Sequence, residues 1–256
     1  MPDQPLLDVA REGAVCVLTL RREEKLNAIS TALERELLSA LAGPAVRESR
    51  CVVFAGGARA FSAGADLVEP RDESPEGIAA YYGDTGDVYE RVAALPQPTV
   101  SAIAGWCLGA GLELALATDF RIADTTAVFG LPEVELGIVP SSGGTQRLVR
   151  LLGPARAKEL MLLRPRVDAE EALRLGLVTE VAAERRALPR AVEVAERIAS
   201  LPPLAASYAK QAADALAEAS REAGILVERL AYAALAQTET ARAAGRAFSE
   251  RSRPSE

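Results

Sequence analysis

The stretch Thr99-Val-Ser-Ala-Ile-Ala-Gly-Trp-Cys-Leu-Gly-Ala-Gly-Leu-Glu-Leu-Ala-Leu-Ala-Thr-Asp-Phe-Arg-Ile-Ala123 holds strand, glycine loop, helix and strand in immediate succession. Residues 99–104 read as a short buried strand of the kind that lies inside a parallel sheet. Gly109-Ala110-Gly111 then opens a helix over 112–117, and 120–123 returns to strand. The first N–H groups of such a helix have no partner within it and sit at the positive end of its dipole. Small residues let another group approach them. Glu113 lies three residues past Ala110, on the same helix face, with its Cβ tilted back toward the helix start. One turn can therefore offer an N–H donor and a carboxylate together. The ordinary alternative is a glycine that merely packs a helix tightly on a strand.

The same alternation extends outward. Residues 14–20 and 51–55 read as strands, the second ended by Gly56-Gly57. Residues 31–41 read as a helix capped by Ser30. The segment 69–86, rich in Pro, Gly, Asp and Glu, reads as a loop with a short helix around 78–82. A helix over 88–94 stops before Pro96 and Pro98. Residues 127–130 read as strand, and 142–152, 155–163, 168–175 and 188–200 as helices. From 204 to 248 the chain is alanine-rich and without strand character. This predicts an α/β fold with a helical tail, divided into a core over 1–195 and a helical region over 196–256.

Composition narrows the function. The chain has 256 residues, 49% of them hydrophobic and 25% charged, which suits a globular protein with a large core. A net charge of −7 disfavours a nucleic-acid partner. Apolar runs end well short of a membrane span, and Met1-Pro-Asp-Gln-Pro5 lacks a signal-peptide pattern. No membrane association is expected. Cys16, Cys51 and Cys107 form no C-x-x-C pair, and the expectation is buried thiols in the cytoplasm. With no histidine and no zinc-like cysteine spacing, no metal site is expected. Neither a Walker motif nor a complete G-x-G-x-x-G is present.

A second glycine loop, Phe61-Ser-Ala-Gly-Ala-Asp-Leu67, follows the 51–55 strand. Gly64 would let the Ala65 N–H face a ligand, although a plain turn explains the segment as well. Ser62 has no G-x-S-x-G elbow and no histidine base, which speaks against serine hydrolysis. Glu133 sits in Phe129-Gly-Leu-Pro-Glu-Val134. A carboxyl among apolar groups tends to hold its proton. Two glutamates in different surroundings can divide acid and base roles. On that logic Glu113, at a helix start, is expected to favour its ionised form, and Glu133 its protonated form. A surface ion pair remains the ordinary reading of either glutamate alone.

Four stretches in order give a more specific signal. They are Arg22-Glu-Glu-Lys-Leu-Asn-Ala28, Ala60-Phe-Ser-Ala-Gly-Ala-Asp-Leu67, Ala104-Gly-Trp-Cys-Leu-Gly-Ala-Gly-Leu-Glu-Leu114 and Phe129-Gly-Leu-Pro-Glu-Val-Glu-Leu-Gly-Ile-Val-Pro-Ser-Ser-Gly-Gly-Thr-Gln-Arg-Leu148. The chain resembles the crotonase superfamily, and within it the enoyl-CoA hydratases. The resemblance implies a spiral of ββα units with a helical C-terminal trimerisation region, assembled as a homotrimer or a dimer of trimers. It implies an oxyanion hole from the Ala65 and Ala110 N–H groups, and catalytic roles for Glu113 and Glu133. Ser141 would offer an N–H that helps hold the water. Coenzyme A would lie against Ala28, Ala63, Asp66 and Leu67, with Lys25 near a phosphate. Phe248 and Arg251 would reach coenzyme A in a neighbouring subunit. Coenzyme A enters as part of the substrate, so no separate cofactor is expected.

The implied reaction is syn-hydration of a trans-2-enoyl-CoA to a 3-hydroxyacyl-CoA. The alternatives are Δ3,Δ2-enoyl-CoA isomerisation, which depends mainly on Glu133, and a non-catalytic acyl-CoA-binding homologue. The scaffold serves fatty-acid metabolism, aromatic degradation and secondary metabolism alike. Residues 68–88, with Leu131 and Trp106, are expected to shape the acyl pocket, and Tyr81, Tyr82 and Tyr89 to line or pack it. The chain departs from the family pattern at three places. Ala110 and Ser141 stand where glycine is usual, and Ala104 stands where asparagine is frequent. The Ala110 methyl would then sit beside the thioester.

Overall fold

The structure is a computed structural model, described over residues 5–69, 72, 74–163, 166–217 and 219–251, with side chains to residue 248. The chain divides after Ala199 into two compact units. The sequence-derived boundary at 195/196 falls inside a helix, Ala187–Ala199, that belongs wholly to the first unit.

The first unit is built on a repeat. Strands are β1 Leu7–Glu12, β2 Val15–Leu20, β3 Cys51–Ala55, β4 Ala60–Ser62, β5 Thr99–Ile103, β6 Trp106–Leu108, β7 Phe120–Asp124, β8 Val128–Gly130, β9 Val167–Asp168 and β10 Glu180–Ala182. Helices are α1 Thr31–Ala42, α2 Pro44–Arg47, α3 Pro75–Gly83, α4 Val88–Ala93, α5 Ala110–Ala117, α6 Gly144–Leu162, α7 Ala169–Leu175 and α8 Ala187–Ala199. Three times a five-residue strand enters one sheet, a three-residue strand enters another, and the chain leaves into helix. The larger sheet has order β1-β2-β3-β5-β7-β10 and the smaller β4-β6-β8-β9. The parallel neighbours β3, β5, β7 and β4, β6, β8 advance in the same order in both sheets. Each repeat is thus displaced by one strand in both sheets at once, which makes a spiral of ββα units.

Side-chain alternation divides the core between the sheet's two faces. Val15, Val17, Cys51, Val53, Ala55, Val100, Ala102 and Ile122 pack against Ala191, Ala195 and Ala199 of α8. Alanines four residues apart keep that helix face flat enough to lie close on the sheet. The opposite face sends Cys16, Leu18, Val52, Phe54 and Ile103 into the larger core shared with α1, α4 and α5. β3, covered on both faces, reads as a solid apolar run, and in β5 the polar Thr99 and Ser101 are buried with hydrogen-bond partners in Asp119 and Thr118.

Several elements end where sequence chemistry dictates. Ser30 Oγ accepts from Leu33 N at the start of α1, as its N-cap reading predicts. The expected helices over 142–152 and 155–163 form one run, α6, broken at Gly153 (φ 79°, ψ 160°) just before Pro154. α5 starts at Ala110, two residues earlier than expected, and all eight of its residues are buried. The second unit contains α9 Pro203–Leu216, α10 Arg221–Ala236 and α11 Glu239–Arg251. It has no strand among its described residues.

Gly111 sets how closely α5 lies on β4. A Cβ there would come 2.5 Å from Ser62 O and 2.7 Å from Ser62 Cβ. Alanine normally gains about 1 kcal/mol over glycine inside a helix. Here overpacking against backbone, roughly 1–3 kcal/mol, outweighs it. Gly111→Ala is expected to lower stability by about 1–2 kcal/mol, read as a lower urea midpoint. A midpoint raised above wild type would show that β4 yields to the methyl.

Candidate active site

Two glycine loops meet at the start of α5. A Cβ on Gly64 would lie 3.1 Å from Leu108 O and 3.7 Å from Ala110 N, so the backbones of the two loops are in contact. Ile29 bridges to Ala65 in parallel fashion, donating to Gly64 O and accepting from Asp66 N, each at 2.8 Å. In such a bridge the middle residue turns its own N–H away from the partner strand. The Ala65 N–H therefore faces away from Ile29. The Ala110 N–H opens α5 and has no helical acceptor. Among the described residues neither N–H donates to a protein acceptor. Two free donors in adjoining loops are the geometry of an anion-binding pair.

Both glutamates come to this point. Glu113 is buried on α5, and its Oε1 accepts from Ser142 N at 2.8 Å and Gly144 N at 2.9 Å. These donors belong to the turn that starts α6. Glu133 lies in a 3-10 helix, Pro132–Leu136, just after β8. A Cβ on Gly109 would come 3.3 Å from Glu133 Oε1, so this carboxyl rests against the loop that carries the Ala110 N–H. Glu133 Oε2 is buried and has no partner.

Electrostatics separate the pair. Burial pushes the Glu133 carboxyl up to about 7, and the nearby charge of Glu113 adds to the rise. Burial also raises Glu113, against the expectation that a helix start would favour its charged form. Its own helix is too deeply buried for that. The opposing influence comes from α6 instead, through the N–H groups of Gly144 and Ser142, the Arg147 charge and the Ser141 N–H. Glu113 is thus surrounded by donors while Glu133 has an oxygen without any. Of the two, Glu113 holds a negative charge more readily.

The predicted coenzyme A residues of the first unit also cluster. Ala63 N donates to Leu26 O at 2.9 Å, stitching the two loops together, while Ala28 N donates to Lys25 O at 3.0 Å and closes the first loop on itself. Asp66, buried, pairs with Arg22 at 2.9 Å and lies 3.5 Å from Lys25 Nζ. The Arg22 guanidinium holds the Asp66 carboxyl below the usual range. Arg22 also donates to Ala28 O. Leu67 is 72% exposed beside this cluster. Phe248 lies exposed on α11 of the second unit, and the Arg251 side chain is outside the described residues.

The structure adds to the remaining readings. The Ala110 methyl belongs to the main apolar core. Tyr81 and Tyr89 follow the packing alternative, directing their hydroxyls at the buried Glu34 carboxyl at 2.6 and 3.4 Å. Ser142, Gly144 and Arg147 were absent from the expected set although they hold or face Glu113. The Ser142-Gly-Gly-Thr-Gln-Arg147 run carried the clue, a glycine-opened helix whose N–H groups must find an acceptor.

No group of three His, Cys, Asp or Glu suited to a metal occurs among the described residues. No described helix is long and apolar enough to cross a membrane.

The chain is similar to known enoyl-CoA hydratases. The model of the enoyl-CoA hydratase/isomerase family matches residues 10–255. The chain is 40% identical to the 2,3-dehydroadipyl-CoA hydratase of Escherichia coli (strain K12), covering 91% of each. It superposes on the enoyl-CoA hydratase of Bacillus anthracis with a TM-score of 0.89, at 37% identity and 98% coverage of both chains. A Thermobifida fusca YX homologue solved in complex with CoA gives a TM-score of 0.83 at 28% identity, covering 90% of this chain and 92% of that one.

With 13C-labelled glutamate, one side-chain carboxyl is expected to titrate near pH 7. Glu133→Gln removes that signal. Glu113→Gln moves it to lower pH, because a neighbouring negative charge is gone. A wild-type protein whose glutamates all titrate in the ordinary range would contradict the assignment.

Proposed function

The chain belongs to the enoyl-CoA hydratase/isomerase family, and from that membership we propose that it adds water reversibly to a trans-2-enoyl-CoA, giving the 3-hydroxyacyl-CoA. One observation carries the reading: two unlike carboxyls, Glu113 and Glu133, stand beside two unengaged backbone donors, Ala65 N–H and Ala110 N–H.

The thioester oxygen would accept from both N–H groups. Withdrawing charge onto that oxygen makes C3 electrophilic. Glu113 takes a proton from water through Oε2, which neither α6 N–H engages, and the water oxygen bonds to C3. The C2–C3 π electrons shift toward the carbonyl, and the enolate oxygen is held by the same two donors. Glu133 then gives its proton to C2 and the carbonyl re-forms. The product has gained one water. Glu113 has gained a proton and Glu133 has lost one, and the next water relays it back. Because the two glutamates share that water, their titration is coupled and apparent values belong to the pair. Each donor of the oxyanion pair is worth roughly 10²–10³-fold in rate.

The loops around Asp66 support coenzyme A binding, with Lys25 free enough to meet a phosphate and the Ala28, Ala63 and Leu67 backbone to meet the adenine. No added cofactor is required, because coenzyme A arrives with the substrate. We further propose a homotrimer or a dimer of trimers formed through the helical unit. Leu204, Leu226, Leu230 and Tyr232 are large apolar residues left exposed on it in a single chain. Phe248 and Arg251 would serve a neighbouring subunit's ligand. Three buried cysteine thiols that form no disulfide suit the cytoplasm.

Loss of crotonyl-CoA absorbance measures the reaction directly. Glu113→Gln and Glu133→Gln are each expected to lower kcat by about 10²–10⁴-fold. Undiminished hydration in both variants overturns the assignment. An isomerase would instead convert a 3-enoyl-CoA and tolerate Glu113→Gln. A binding homologue would take acyl-CoA tightly in calorimetry and turn over neither substrate.

A further inference from the structure

Glu113 depends on a turn that lies outside its own helix. Ser142, Gly143 and Gly144 must present two N–H groups to a single oxygen, and a glycine-rich turn has little stiffness of its own. Something has to fix it. The guanidinium of Arg147, one turn into α6, lies over Gly143. A Cβ on Gly143 would come 2.1 Å from Arg147 Nη1, and Gly143 has φ +91°. Arg147 Nη1 donates to Ser142 O at 2.9 Å. That carbonyl belongs to the peptide between the two residues whose N–H groups grip Glu113. Arg147 Nη2 donates to Glu90 Oε1 on α4 at 2.6 Å. The Arg147 side chain is only 11% exposed, although its partner Glu90 is 67% exposed.

We propose that Arg147 is the positioning residue of the general base: its planar fork, stretched between Glu90 of α4 and the Ser142 carbonyl, holds the 142–144 turn in the one conformation that aims two N–H groups at Glu113. The inference rests on the hydratase reading and goes beyond it. A lysine offers a point charge on a flexible stem and cannot span two acceptors in one plane as arginine does. The guanidinium therefore has two separable effects. Its fork fixes geometry, and its positive charge favours the Glu113 carboxylate.

The charged surroundings of Glu113 make the second effect readable. From the 3-10 helix before α6 comes Glu133. From α6 comes Arg147, and beyond it Glu90 of α4. Cys107 of β6 is buried, and burial pushes its thiol far up, so it stays neutral. On α4, Tyr89 bonds Glu34 and Arg91 pairs with Asp87 at 2.6 Å. On α6, Arg156 pairs with Glu159. β4 carries no ionisable side chain. Among the described residues, Arg147 is the cation whose charge favours the Glu113 carboxylate.

The test is the pH dependence of kcat/KM for crotonyl-CoA in wild type, Arg147→Gln and Arg147→Lys, with folding checked by urea denaturation. Wild-type turnover establishes the reaction itself, so its absence would indict the hydratase reading and not the role of Arg147. Arg147→Gln is expected to lower kcat by about 10–100-fold, as a misplaced catalytic group does, with little change in KM. Its acid limb should move upward by about one pH unit, because a carboxylate that loses a nearby cation becomes harder to ionise. Arg147→Lys should lose kcat while its acid limb stays at the wild-type position. An acid limb unmoved in folded Arg147→Gln overturns the inference, since a merely structural residue would lower stability and leave the titration alone. If Arg147→Gln does not fold, Arg147→Lys decides: wild-type kcat in it overturns the inference, and a reduced kcat with an unshifted limb supports it.

Discussion

A carboxylate on a helix with no exposed face is the constraint around which the first unit is arranged. Every residue of α5 is buried, and Glu113 is among them. Removing an unpaired charge from water costs several kcal/mol or more, so the group must find donors or give up its charge. The donors come from the start of α6, where a helix has N–H groups to spare. The next repeat of the spiral therefore completes the previous one. Its first turn lies over α5, and the loops of earlier repeats bring Ala65 to the same end of the helix. One strand's displacement per repeat is what gathers elements so distant in sequence.

The two ends of α5 are treated oppositely. At its C-terminus, Arg121 donates to Thr118 O at 2.7 Å, Ala115 O at 3.3 Å and Leu177 O at 2.7 Å. A buried cation there satisfies carbonyls and complements the negative end of the dipole. At the N-terminus the corresponding groups are left open. Ala110 N–H has no acceptor, and Glu133 Oε2 has no donor beside it. Leaving polar groups unsatisfied in a partly buried site lowers stability. It also leaves both a donor and a protonated carboxyl available to a substrate.

Much of this was readable from sequence because the signals were local. Ser30 caps α1, and the solid apolar run of β3 announces a doubly covered sheet. The alanine-rich tail gives helices and nothing else. The short strands β4, β6 and β9 were not readable, since two or three residues carry no periodicity and exist only through pairing with neighbouring repeats. β1 was missed for a different reason. Its burial is confined to Leu7, and the other five residues are exposed, so no apolar pattern marks it. The upward push of burial on the Glu113 carboxyl also escaped. A helix start favours a carboxylate only if water or donors reach it, and sequence does not report that α5 is buried on every side. Residues 25–28 and 63–67 were expected to share a site, and backbone bonds between the two loops hold them together.

The Gly109-Ala110-Gly111 trio shows how geometry sorts three small residues that sequence treats alike. Gly109 has φ +50° and ψ −128°, a conformation poorly suited to an L side chain, and a methyl there would press on Glu133 Oε1. Gly111 has ordinary helical surroundings but no room, because Ser62 O occupies the place of its Cβ. Position 110 suffers neither restriction. It is the first residue of α5, its conformation is helical, and its methyl enters the apolar core with Leu112, Leu114 and Phe129. A departure from glycine at this position therefore adds buried apolar surface and lowers backbone freedom in the unfolded chain. The N–H that the oxyanion would use is unchanged by it. The outer glycines are required by space and conformation, whereas the central residue is required only to supply a backbone donor, and alanine does this while stiffening the turn that aims it.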